Sequence, residues 1–200
     1  MNKEDLVSVI MPTYNAGKYL ADSINSILNQ SYKNLELLIT DDASTDPTTL
    51  QLLQEFASKD NRVDILYLKE NHGAGYARNQ SIERAKGRYI AFCDSDDRWT
   101  TDKLEKQIAF MNKKKCALSC ASYIIFDGET QNEIGFCTAP KKITYGMMKR
   151  DNKVGCLTAI YDVQMLGRKF FMPTIRKRQD WALFLQIIRE CKVCYAYPDK

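Results

Sequence analysis

The sequence of 200 residues contains no long apolar run, no secretion signal and no framework of paired cysteines. No window approaches the roughly 18 uninterrupted apolar residues that a membrane-spanning helix requires. Residues 1–5 lead directly into a strand-like segment, without the basic start and apolar stretch of a signal peptide. These absences predict an intracellular, cytoplasmic protein.

Ligands of the zinc type are also scarce. The seven cysteines are scattered, and the chain has a single histidine. Cys191 and Cys194 have the spacing of a zinc or redox pair, but no second pair accompanies them. In a reducing compartment cysteines pack as small hydrophobic residues. We therefore interpret this pair as the end of a helix that runs into a strand.

Short apolar runs alternate with helical patterns in the first hundred residues. Strands are predicted at residues 6–11, 36–40, 63–68 and 88–93. Leu20, Ile24 and Ile27 share one helical face between the first two strands, and further helices are predicted after the second and third. This alternation indicates parallel pairing with helical crossovers. The predicted fold class is α/β, with an open, mostly parallel, twisted sheet flanked by helices.

The pattern changes beyond residue 100. We predict a helix over 101–113 that starts with a capping box of Asp102 and Glu105, strands at 117–126, 155–161 and 193–197, and a helix that begins at Asp180. Residues 141–153 are basic and poorly patterned. The sequence stops just after the last of these strands, so we expect the natural protein to continue.

Polar residues follow three of the four early strands, at 12–15, 41–46 and 94–97. Ligands of open α/β sheets bind beyond the carboxyl ends of the strands. Six carboxylates at one edge would repel one another, and a hard cation with oxygen ligands, Mg²⁺ or Mn²⁺, would relieve that repulsion. Such an ion binds through one or two carboxylates plus substrate phosphates, which indicates a diphosphate ligand. The competing interpretation of 94–97 is a surface turn, and Asp46 is predicted to be a helix N-cap.

Positive charge is concentrated in residues 141–178, which hold ten lysines and arginines against two aspartates. The first 140 residues have a net charge of −4. A basic second half favours a partner that bears phosphate, or an anionic membrane surface. A solvated lysine-rich surface is the alternative. We expect no nucleic acid partner.

Five motifs in this order resemble the inverting glycosyltransferases of family 2, which have the GT-A fold. The resemblance covers nearly all of residues 6–198. The motifs are Val7-Ser-Val-Ile-Met-Pro-Thr-Tyr-Asn15, Asp41-Asp-Ala-Ser-Thr-Asp46, Gly75-Tyr-Ala-Arg-Asn79, Ala85-Lys-Gly-Arg-Tyr-Ile-Ala-Phe-Cys-Asp-Ser-Asp-Asp97 and Gln179-Asp-Trp-Ala-Leu-Phe-Leu185.

The resemblance implies a single catalytic domain, with a nucleotide-sugar-binding half at 1–98 and an acceptor half at 99–200. It implies a nucleotide-sugar donor, first a UDP-sugar and otherwise a dTDP- or GDP-sugar, a saccharide or lipid-linked acceptor, and Mn²⁺ or Mg²⁺ as cofactor. It also implies roles for single residues, namely Asp42 at the base, Pro12, Thr13 and Tyr14 lining the base and ribose pocket, Asp94 at the ribose, Asp96 and Asp97 at the metal, and Asp180 as general base.

Arg78 lies on the helix after the third strand. It is expected to pair with the acidic cluster or to neutralise phosphate at the nucleotide site; a helix-surface arginine is the alternative. Spacing alone makes Asp180 a helix N-cap, whereas the resemblance makes it the base. Gln179 departs from the family, which usually has glutamate there. This leaves donor and acceptor identity open.

Two other functions share some of these sequence features. A sugar-phosphate nucleotidyltransferase normally carries a glycine-rich basic loop after its first strand, and residues 12–17 contain too few glycines. An inactive nucleotide- or sugar-binding module is supported by Gln179 and the early chain end. Residues 72–75 lack the third glycine of a dinucleotide fingerprint, which makes a nicotinamide enzyme unfavourable.

Overall fold

The structure, a computed structural model, describes residues 5–198. Its centre is an eight-stranded mixed sheet, beside which stands a two-stranded ribbon. The strands of the sheet are β1 (Val7–Thr13), β2 (Leu35–Asp41), β3 (Val63–Tyr67), β4 (Tyr89–Phe92), β5 (Leu118–Ala121), β8 (Lys142–Thr144), β9 (Ile160–Asp162) and β10 (Val193–Tyr197). The ribbon pairs β6 (Tyr123–Phe126) with β7 (Glu133–Cys137).

The spatial order of the sheet is β3-β2-β1-β4-β9-β5-β10-β8. The first four of these strands are mutually parallel, as the alternating pattern predicted. β9 runs antiparallel to both of its neighbours, and β10 is parallel to β5. The predicted mostly parallel α/β sheet is confirmed.

Helices cover both faces of the sheet. They are α1 (Leu20–Leu28), α2 (Pro47–Lys59), α3 (Ala74–Arg84), α4 (Lys103–Lys114), α5 (Tyr145–Arg150), α6 (Val163–Leu166) and α7 (Gln179–Cys191). Residues of α1, α2 and α4 pack in one core cluster, and residues of α3 and α7 pack in the other. Val9 contributes to the first cluster and Ile10 to the second, so β1 is buried on both faces. No helix within residues 5–198 is long and apolar enough to cross a membrane.

Two predicted strands are shorter than expected. The segment 117–126 is divided, because β5 ends at Ala121 and the chain then leaves the sheet to form β6. The Ser122 hydroxyl at this break accepts the backbone N–H of Ala139 at 3.1 Å. The segment 155–161 begins with a 3-10 turn, Cys156–Thr158, in which Thr158 Oγ1 donates to the Gly155 carbonyl at 2.7 Å. Only its last residues join β9.

The predicted capping box at α4 is wrong. Asp102 is the residue before the helix, but its backbone (φ −107°, ψ 8°) is not extended, and its side chain caps no backbone N–H. Its carboxylate pairs with Lys106 at 2.7 Å, and Glu105 accepts the Ser31 hydroxyl at 2.6 Å. The other predicted cap is confirmed, because the Asp46 carboxylate accepts the backbone N–H of Thr49 at 2.8 Å.

Candidate functional site

The carboxyl ends of β1, β2 and β4 meet at one edge of the sheet, since these strands are parallel. A cavity of about 180 Å³ opens there. Its lining includes seven of the predicted site residues: Pro12, Thr13, Tyr14, Asp42, Arg78, Asp94 and Asp96. Asp97 lies with Asp96 in an adjoining groove of about 390 Å³ that extends along β6. The structure thus brings together eight of the nine residues that the sequence singled out.

Local hydrogen bonds stabilise the three carboxylates that follow β2. Asp42 is buried and accepts the backbone N–H groups of His72 at 2.9 Å and Gly73 at 2.7 Å. Asp41 accepts the backbone N–H of Ser44 at 3.0 Å, and Asp46 caps α2. Hydrogen bonds therefore stabilise each of these three carboxylates without a cation.

Arg78 is buried, so the alternative of a helix-surface arginine is wrong. Its side chain meets the Asp94 carboxylate, with Nη2–Oδ2 at 2.6 Å and Nε–Oδ1 at 3.2 Å. Burial alone would lower the pKa of Arg78, but the charge of Asp94 and, to a smaller extent, that of Asp180 raise it well above its usual value. Arg78 thus carries a fixed positive charge that pairs with Asp94.

Arg78 offsets the surroundings of Asp97 only in part. Burial and the neighbouring charges of Asp94 and Asp96 raise the pKa of Asp97 to about 7. Asp96 is exposed to the cavity. Oxygen ligands with excess negative charge suit Mg²⁺ or Mn²⁺. No cluster of three or more His, Cys, Asp or Glu side chains that could hold a metal occurs between residues 5 and 198. An ion here would therefore need ligands from a bound phosphate.

A hydroxyl without a hydrogen-bond partner also lines the cavity at the ends of β1, β2 and β4. The buried Thr13 hydroxyl has no hydrogen-bond partner within the part of the chain that the structure describes. Buried hydroxyls are normally paired, and leaving one unpaired costs about 1–3 kcal/mol. A ligand with a donor or acceptor at this point would satisfy it.

Asp180 does not cap α7. The helix begins at Gln179 after Arg178, which is left-handed (φ 62°), and the Asp180 carboxylate instead accepts the Asn152 amide at 3.2 Å. The N-cap interpretation is wrong because the helix starts one residue earlier than predicted. The first turn of α7 lies against the start of α3, because a Cβ on Gly75 would stand 2.9 Å from Gln179 Cγ, and this places Asp180 on the side of α3 that carries Arg78.

Several site residues were not found from the sequence. Asn152 holds Asp180, and Asn79 binds the backbone of Met172, which precedes α7. Asn79 stands beside Arg78 in a recognised motif, but its partner is distant in the chain. Gln179 donates from Nε2 to the Arg176 carbonyl at 3.0 Å, which a glutamate at this position could not do.

A larger cavity, of about 510 Å³, lies between α4 and β6. It is lined mainly by apolar groups and shares Arg98 and Leu157 with the groove beside Asp97. None of the predicted site residues lines it.

Comparisons with known proteins identify the family and the fold. The family model described as glycosyl transferase family 2 matches residues 8–171. The chain is 43% identical over 194 residues to TuaG of Bacillus subtilis (strain 168), which is named as a glycosyltransferase of teichuronic acid biosynthesis; the match covers 97% of the chain and 76% of TuaG. It is 40% identical over 185 residues to the Escherichia coli enzyme UDP-Glc:alpha-D-GlcNAc-diphosphoundecaprenol beta-1,3-glucosyltransferase WfgD, covering 92% of the chain and 70% of WfgD.

Among solved structures, residues 1–349 of S. aureus TarS superpose with a TM-score of 0.76 at 25% identity, over 97% of the chain. The chain spans 58% of that TarS fragment. The likeness extends across the whole mixed sheet and its helices, so the fold that the sequence predicted also occurs in a solved protein.

Proposed function

The chain belongs to glycosyltransferase family 2, and from that premise we propose that it transfers a sugar from a UDP-sugar to a saccharide or lipid-linked acceptor, with inversion and with the help of Mn²⁺ or Mg²⁺. One observation carries the proposal. Asp42, the Arg78–Asp94 pair and Asp96 line a single cavity, and the first turn of α7, which holds Asp180, lies against the start of α3 at Gly75.

The donor site combines fixed acceptors with an unsatisfied hydroxyl. Asp42 is held rigidly by two backbone N–H groups, and each carboxylate oxygen keeps a further lone pair for an N–H of the nucleotide base. Thr13 offers its unpaired hydroxyl in the same cavity. A uridine nucleotide is the first candidate because WfgD, which is 40% identical, is named for UDP-Glc.

Asp96 and Asp97 would hold the divalent ion together with the donor diphosphate. Their carboxylate oxygens match the ligand preference of Mg²⁺ and Mn²⁺. Burial, and then the negative charges of Asp94 and Asp96, raise the pKa of Asp97, and a cation would offset the contribution of these charges. When bound, such an ion stabilises the charge that develops on the diphosphate leaving group.

Asp180 acts as the general base in this proposal. An acceptor hydroxyl is a weak nucleophile, and removal of its proton during attack typically contributes about 10²–10⁴-fold to the rate. Asn152 orients the Asp180 carboxylate through Oδ2 and leaves its other oxygen available for the hydroxyl proton. Because the sugar moves in one displacement, its anomeric configuration inverts.

The acceptor side is basic, which suits a lipid-linked diphosphate at the inner face of the cytoplasmic membrane. Three exposed cations lie near the start of α7, namely Lys149, Arg150 and Lys177. Ile175 is an exposed apolar side chain shortly before the same helix. Cations near an anionic membrane surface each contribute about 1 kcal/mol to binding. WfgD is named for a diphosphoundecaprenol acceptor, which supports the same class here.

Calorimetric titration with UDP, GDP and dTDP, with and without Mn²⁺, tests the donor site. We expect binding that prefers UDP, that strengthens with Mn²⁺, and that loses its Mn²⁺ dependence in the Asp96→Asn/Asp97→Asn double variant. Asp22→Asn is the matched control, because Asp22 lines the adjoining groove as an exposed carboxylate. Failure of all three diphosphates to bind under any metal condition would refute the donor site.

A further inference from the structure

The segment before α7 is fastened to α3 by one side-chain amide. Asn79 Nδ2 donates to the Met172 carbonyl at 2.8 Å, and the Met172 N–H donates to Asn79 Oδ1 at 2.8 Å. Two bonds in opposite directions fix both the position and the orientation of the Met172 backbone. Met172 itself is buried, so loss of the amide would leave its backbone groups without partners.

The neighbouring residue on α3 contacts the same methionine. Arg78 Nη1 lies 3.9 Å from Met172 Sδ, while the rest of the guanidinium group holds Asp94. Consecutive residues of one helix therefore contact the donor-side carboxylate and the segment that leads to Asp180. Their separation is fixed by the geometry of the helix.

The chain between Met172 and Asp180 is short and internally bonded. The Ile175 N–H donates to the Pro173 carbonyl at 2.8 Å, and the Gln179 amide donates to the Arg176 carbonyl. This bonding leaves little freedom between Met172 and the first turn of α7. The position of Met172 therefore helps to place the Asp180 carboxylate relative to Asp94, together with the core packing of α7 and the bond from Asn152.

We propose that Asn79 is a positioning residue that sets the distance between the general base and the donor site. The role rests on the proposed function, because it is expressed through Asp180 as base. A displacement of about 1 Å at a reacting group can lower a rate by about 10²-fold. The Asn79→Ala variant should therefore lose turnover while it keeps donor affinity.

The test compares Asn79→Ala with Lys169→Ala. Lys169 is the matched control, because its Nζ ties the chain three residues before Met172 to α3 through a solvent-exposed bond to the Glu83 carbonyl at 2.8 Å, and the residue is only half-buried. Hydrogen exchange, read by mass spectrometry on peptides covering residues 172–181, reports the geometry. UDP titration measures the affinity of the donor site. The kcat for transfer from UDP-glucose to a lipid-diphosphate GlcNAc acceptor measures how well Asp180 acts as base.

We expect Asn79→Ala to raise exchange in 172–181 at least about tenfold, to change the UDP dissociation constant less than twofold, and to lower kcat about 10–100-fold. In an Asp180→Asn background the same substitution should lower kcat no further. Lys169→Ala should leave all three readouts near wild type. Asn79→Asp keeps the acceptor for the Met172 N–H but replaces the donor with a charged oxygen that faces the Met172 carbonyl, and it serves as the second variant if alanine is not tolerated.

Unchanged exchange, a parallel loss of UDP affinity, or an additive loss of kcat with Asp180→Asn would each overturn the proposal. A wild-type chain that binds UDP but transfers nothing would count against the proposed function alone. The exchange comparison would still decide whether Asn79 fixes the segment before α7.

Discussion

Replacing Arg78 by methionine should destabilise the protein and identify the buried ion pair as a structural element of the donor site. Methionine preserves much of the volume but removes the charge, so Asp94 keeps a negative charge without a partner. Breaking a fully buried pair costs about 3–5 kcal/mol. The Arg78 side chain is 9% exposed and that of Asp94 is 29% exposed, so water reduces the penalty. We expect a loss of about 2–3 kcal/mol in the free energy of unfolding.

The assay is equilibrium unfolding in urea at pH 7, followed by circular dichroism. Lys59→Met is the matched control, since Lys59 pairs with Glu55 on the surface of α2, with the two side chains 66% and 43% exposed. An exposed pair one helical turn apart contributes about 0.3–0.5 kcal/mol. Each substitution removes one positive charge from an ion pair, and the main difference between the pairs is how deeply they are buried.

A double variant separates the orphaned charge from lost packing. If the unpaired Asp94 carboxylate causes the loss, Arg78→Met/Asp94→Asn should recover at least about 1 kcal/mol relative to Arg78→Met. A destabilisation no larger than that of Lys59→Met, or a double variant less stable than Arg78→Met, would refute the reasoning. The buried pair would then be incidental to stability.

Three further predictions concern the same edge of the sheet. The pKa of Asp97 is raised from 3.8 to about 7 in the folded state, so the folded protein holds a proton that the unfolded chain releases between these pH values. The free energy of unfolding should therefore fall by at most about 4 kcal/mol as the pH rises through this window. Asp97→Asn should reduce this pH dependence. Equal changes in melting temperature between pH 5 and pH 8 in the wild type and in Asp97→Asn would contradict this prediction. Gly75→Ala would place a Cβ 2.9 Å from Gln179 Cγ, and we expect it to lower kcat about tenfold or more. Gly167→Ala is the control, because its Cβ would have no neighbour within 4 Å. It should lower the free energy of unfolding by about 1 kcal/mol through the positive φ of residue 167 and leave kcat unchanged. Asp180→Asn should lower transfer about 10²–10⁴-fold with UDP affinity kept within twofold, and a parallel loss of UDP binding would argue against its role as base.

The sheet could be predicted because its strands are buried on both faces and therefore form short apolar runs between helical patterns. The edge that carries the site could be predicted for a related reason. Parallel strands bring their carboxyl ends together, so Thr13, Asp42 and Asp94 had to meet. Neither inference needed any knowledge of contacts between distant residues.

Other features depend on contacts that periodicity does not encode. Asn79 and Met172 are 93 positions apart, and nothing in either segment indicates the pairing. The division of 117–126 follows from a bond between Ser122 and Ala139. Asp102 looked like a cap from its spacing, but the backbone conformation that a cap requires depends on the turn before α4.

The place of β9 between β4 and β5 has a consequence for the order of folding. β1 to β4 come from one continuous stretch, but the outer edge of β4 gains its partner only with residue 160, about 70 residues later in the chain. Closing a loop of that length costs about 4 kcal/mol of chain entropy. We infer that β1 to β4 form first, and that the outer edge of β4 stays unpaired until β9 forms. Pulse-labelled hydrogen exchange should show protection in β1 and β2 before β9, and simultaneous protection would contradict this order. Synthesis of the chain would then pass through a stage with an open strand edge, which is a natural binding point for chaperones.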